Sequence, residues 1–214
     1  MHIRTRVVLS ALSAALMLAF AVASSSATEL AVSEDQFDVR WSALEFVPSA
    51  GSVVRCPVTL LGSFHTRTID KAEGALIGHI DHAVVRGGSG AGECTGGLAT
   101  ALRNTLPWHV TYESFGGDLP DIETVRLLLI GARFEIQNSL GINCLATTTT
   151  ENPAAGEVAV SESGQATTLS ADADNSIPAP GADGLCALFG VEGRFAGTGA
   201  VEDRRGGLLF IELV

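Results

Sequence analysis

Four cysteines, Cys56, Cys94, Cys144 and Cys186, are the residues whose type and spacing most clearly define a chemistry. Their separations of 38, 50 and 42 residues include no close pair of the C-x-x-C kind that zinc sites use. Oxidation is the other outcome for four thiols, and in an oxidising compartment two disulfides are the expectation. Cys56–Cys94 with Cys144–Cys186 is the favoured connectivity, because sequence neighbours in a meandering β chain tend to be spatial neighbours.

Other groupings offer weaker chemistry. His79-Ile80-Asp81-His82 has ligand types, but a strand puts His79 and Asp81 on one face and His82 on the other. Completing a metal site would require His65 or His109 to arrive from another strand. Asp172-Ala173-Asp174-Asn175, with Asp183 nearby, is an oxygen-rich loop of a kind that calcium uses. It lacks the glycine and the closing glutamate of an EF-hand loop and reads as a solvated turn. Glu113 and Glu135 are the carboxylates that a glycosidase could use, if they lay about 5–10 Å apart across a groove. Solvated strand faces are the better explanation of both. There is no G-x-S-x-G elbow for a serine nucleophile, and Gly88-Ser89-Gly90 reads as a flexible loop. Trp41, Trp108, Tyr112 and Phe115 could stack on a ligand or fill a core. No catalytic residue, metal ligand or cofactor is assigned from these patterns.

The elements that must position such residues begin after a distinct first segment. Arg4 and Arg6 precede an apolar run from Val7 to Val22, and Ser25-Ser26-Ala27 supplies small residues for cleavage. Residues 1–27 therefore read as a secretory signal peptide, with an upstream cleavage site at Ala23 as the competitor. Residues 28–214 carry 11 basic and 24 acidic side chains, and Lys71 is the only lysine. This balance argues against nucleic acid, whose phosphates must be neutralised by Lys and Arg. Beyond the leader, no apolar stretch is long enough for a spanning helix.

Apolar alternation runs through the rest of the chain. Phe37, Val39 and Trp41 fall two apart, as do Trp108, Val110 and Tyr112, and Phe134 and Ile136. Period two indicates strands with one buried face, so His109, Thr111 and Glu113 should look outward. Leu98–Asn104 fits either a strand or a short helix. Gly- and Pro-containing breaks separate roughly 8–11 short strands, the pattern of a β-barrel or β-sandwich. Closure into an antiparallel barrel is preferred, since it removes exposed edges. Residues 28–214 are expected to form one all-β domain. Its stretch around 151–183, rich in Ala, Ser, Thr, Gly and Asp, is read as a mobile polar excursion.

The functional expectation is a secreted, disulfide-stabilised β protein with a non-catalytic binding or extracellular structural role. Its partner would be a small molecule or a protein. The alternative is an extracellular glycosidase-like hydrolase built on paired carboxylates such as Glu113 and Glu135.

Overall fold

Side chains that alternate two apart along the sequence end up on the two faces of one curved wall. The computed structural model describes residues 29–48, 52–86, 93–118, 121–171, 177–178 and 192–214, so the expected leader lies outside the described residues. The strands are β1 (Glu29–Val32), β2 (Gln36–Pro48), β3 (Val54–Phe64), β4 (Thr68–Asp70), β5 (Leu76–Val85), β6 (Gly97–Ala101), β7 (Trp108–Gly116) and β8 (Thr124–Ile130). They continue as β9 (Arg133–Asn138), β10 (Asn143–Thr147), β11 (Ala154–Val160), β12 (Gln165–Ala171), β13 (Ile177–Pro178), β14 (Glu192–Asp203) and β15 (Leu209–Leu213). The undecided segment at Leu98 is strand β6 followed by a single 3-10 turn, Arg103–Thr105.

Eight strands close an antiparallel barrel in the order β2-β3-β5-β7-β8-β11-β12-β14. The closing seam pairs β14 with both β12 and β2, over Thr168–Ala171 on one side and Phe37–Pro48 on the other. The barrel expectation therefore holds against the sandwich. β2 carries an extra residue between Trp41 and Leu44, out of step with both β3 and β14, and β7 carries one after Tyr112; such extra residues bend strands tightly enough for a small barrel.

The stretch around 151–183 needs correction. Far from leaving the domain, it supplies β11 and β12, two neighbouring strands of the wall. Its small residues face inward: Ala154, Gly156 and Ala171 line the interior. Residues 172–176 and 179–191 of this region lie outside the described residues.

Each mouth of the barrel has its own cover. A second sheet, β10-β9-β6, sits over the end where β2 finishes and β7 begins. It inserts Phe134, whose ring lies 5.2 Å from that of Trp108, 5.4 Å from Phe46 and 5.3 Å from Phe195. At the other end, β15 pairs with β1 and briefly with β12, and β1 pairs with β4. That group turns Leu30, Ile69 and Ile211 into the interior. The apolar last strand thus has partners on both sides, yet it is an end cover and not one of the eight barrel strands.

The expected Cys56–Cys94 disulfide is present, joining β3 to a point three residues before β6. Beside it, Arg55 and Thr95 exchange backbone hydrogen bonds of 2.9 and 2.8 Å. Cys144 on β10 is also disulfide-bonded. Cys186, its expected partner, lies outside the described residues.

Candidate functional site

The barrel interior holds a cavity of about 120 Å³. It reaches from Phe134 and Phe195 under one cover to Leu30, Ile69 and Ile211 under the other. Among the described residues, every side chain lining it is apolar. Leu127, Leu129 and Leu169 point inward yet remain only partly buried, because the space in front of them is unfilled. Its lining is uneven in size: Phe37, Val39 and Trp41 of β2 contribute large side chains, whereas Ala154 and Gly156 of β11 and Ala171 of β12 contribute little or none.

Trp41 is held in place by β14. Its Nε1 donates to the Gly197 carbonyl at 3.3 Å, and its ring lies flat against Gly199. A Cβ at Gly199 would come within 2.8 Å of the indole, so only glycine admits the ring there. Gly197 adopts φ of +132°, which side chains rarely tolerate. The Gly197-x-Gly199 spacing inside a strand was the sequence signal for this close approach.

Filling this space should stabilise the protein. Ala154→Leu is expected to raise stability by about 0.5–2 kcal/mol, as cavity-filling changes do. Urea unfolding measures this, and a clear loss of stability would show that no such room exists.

The residues singled out by sequence are distributed elsewhere. Trp108 and Tyr112 are buried, but neither lines the cavity. Phe115 lies under the Lys71 ammonium, 5.1 Å from its ring centroid. Glu113 is engaged by Arg126 at 2.6 Å. Glu135 projects from β9 in the small sheet, on the face opposite Phe134. Phe134 packs at the start of β7, whereas Glu113 lies five residues on, roughly 16 Å along the strand. The two carboxylates do not share a groove.

The histidine motif departs from simple alternation. A bulge between β3 and β5 leaves Asp81 without a direct partner, so Ile80 and Ala83 both face the core. His79, Asp81 and His82 are all partly exposed as a result, which corrects the expectation that His82 would point away from the other two. His79 does meet partners from other strands. Its ring centroid is 5.5 Å from that of His65, and it lies opposite His109 in the β5–β7 register. Asp81 faces Arg204 at 3.5 Å. Among the described residues, no three His, Cys, Asp or Glu side chains are grouped to hold a metal ion. The acidic loop at Asp172–Asn175, Asp183 and the Gly88-Ser89-Gly90 segment lie outside the described residues.

No family model, curated protein or solved structure matches this chain. Its function must therefore be argued from its own geometry.

One buried charge stands apart from the cavity. Asp38, only 1% exposed, lies on the outer side of β2, ion-paired with Arg40, and its Oδ1 has no hydrogen-bond partner. Burial raises its carboxyl above the ordinary value of 3.8, and the Arg40 guanidinium partly opposes that rise. A carboxyl raised in this way binds more protons folded than unfolded. Its contribution to stability is complete below 3.8 and is lost as pH climbs through the raised value. Relative to Asp38→Asn, the wild type should therefore lose stability with rising pH across that window. Urea unfolding of both proteins from about pH 3 to 7 tests this, and parallel profiles would refute it.

Proposed function

We propose that this chain is an exported, non-catalytic binding protein that holds a small molecule inside its barrel. The observation that carries the reading is the interior cavity of about 120 Å³, bounded by two end covers and lined by apolar side chains. Well-packed interiors contain few voids larger than a water molecule, so a space of this size is a feature to be explained. The default reading of a large apolar pocket is a ligand site. Among the described residues nothing titratable lines it, which favours retention of a ligand over chemistry upon it.

Export is supported by the basic start, apolar run and small-residue cleavage zone of residues 1–27. The Cys56–Cys94 disulfide fits an oxidising destination. The barrel wall also suits water on its outside. Arg40, Glu45, Arg55, Arg126 and Glu157 stand on outward strand positions, while the inside is apolar. A membrane barrel has the reverse pattern, with an apolar band facing lipid.

Native mass spectrometry of protein recovered from the exported fraction tests both parts. The expected chain starts at Thr28, or at Ser24 if the upstream site is used, and carries a small noncovalent adduct. A chain retaining residues 1–27 would refute export, and repeated recovery of the bare mass would count against a resident ligand.

A further inference from the structure

We infer that the molecule held in the barrel is uncharged, hydrocarbon-like, without a hydrogen-bonding group, and about the size of one aromatic ring. This rests on the reading of the interior as a binding site and adds the ligand's chemical class.

Three observations converge on it. First, among the described residues no polar group waits inside. The indole N–H of Trp41 is engaged by the Gly197 carbonyl, and that of Trp108 by Thr105 Oγ1 at 2.8 Å. The buried polar atoms that lack partners, Asp38 Oδ1 and Thr111 Oγ1, belong to residues that do not line the cavity. A ligand carboxylate, ammonium or hydroxyl would lose its water and gain nothing in exchange.

Second, the described residues at the two ends offer no polar partner to the head of an amphiphile. A fatty acid in an open barrel keeps its carboxylate at the mouth. Here one end carries Phe134 and the other Leu30, Ile69 and Ile211, so both positions for a head group are apolar. Third, the volume sets the size. An engineered cavity of about 150 Å³ with a comparable Leu, Ile and Phe lining takes up benzene. At about 120 Å³, this one accommodates a single ring or a short branched hydrocarbon.

Toluene and benzoate make the decisive pair, since they share a ring and differ in charge. The disulfide-bonded protein would be titrated with each, reading heat and the methyl NMR shifts of Val39, Leu60, Leu127 and Leu129. Toluene should shift these methyls, and benzoate should bind at least about 100-fold more weakly. Benzoate binding within about tenfold of toluene would overturn the ligand class while leaving the interior site standing. Absence of binding by both would overturn the site and the class together. Ala154→Leu should abolish the toluene response. If that variant does not fold, Leu127→Phe serves the same purpose. A toluene response that persists in a folded, filled variant would place the binding elsewhere and refute the inference.

Discussion

Trp108→Ala should destabilise the protein by about 3–5 kcal/mol, the range for deleting a large buried aromatic side chain. Trp108 is fully buried at the start of β7, and its ring packs on Phe134, the side chain by which the small sheet enters the barrel. Its Nε1 donates to Thr105 Oγ1 at 2.8 Å, and that hydroxyl donates to the Leu102 carbonyl at 2.7 Å. Truncation therefore removes ring contacts from two sheets and takes a donor from a short polar chain. Had the indole lined the cavity, part of its surface would already face empty space and the loss would be smaller. It does not line it, so the larger figure applies. His109→Ala, one position along and exposed, should change stability by less than about 0.5 kcal/mol. Urea unfolding with the disulfides intact compares the two. A Trp108→Ala loss as small as that of His109→Ala would refute the buried seat.

The contrast between Trp108 and its neighbours shows how far the sequence could be read. Alternation placed Trp108, Val110 and Tyr112 inside and His109 outside, because a strand's period is fixed by its backbone. Alternation failed for Thr111, which is buried on the outer side of the wall. It failed again at Asp81, where one unpaired residue shifts the face of those that follow. Bulges depend on how two distant strands register, and a single strand's pattern does not contain that information. The same reason hid the cavity. Ala154, Gly156 and Ala171 read as a polar, small-residue excursion, and only pairing with β8 and β14 turns them into part of the cavity lining. Phe134 was legible as a strand residue alternating with Glu135. Its insertion into another sheet's mouth is a tertiary fact with no local signature.

Replacing Cys56 and Cys94 together by alanine should produce the second large effect, a loss of about 4 kcal/mol from relaxing the loop in the unfolded chain. The bridge spans a sequence separation of 38 residues, which includes most of β3 and all of β4 and β5. In the folded state its removal has a local meaning as well. Cys56 is fully buried on β3, and the bridge fixes Cys94 where the chain leaves the barrel wall to begin β6. Without it, the small sheet would be held by Phe134, by the Arg55–Thr95 hydrogen bonds and by the bond at Cys144. Hydrogen exchange can separate the two contributions. An effect confined to the unfolded state lowers protection of the most stable amides throughout the barrel and leaves the order of opening unchanged. A loosened cover instead exposes β6 and β9 before β2, β3 and β14. Preferential exchange at Ala99 and Thr100 is expected, because β6 lies at an edge of its sheet and depends on β9 for its ladder. Uniform loss across both sheets would show that the remaining contacts secure the cover without the bridge. A total loss below about 1 kcal/mol would show that the bridge is not a principal restraint on this fold.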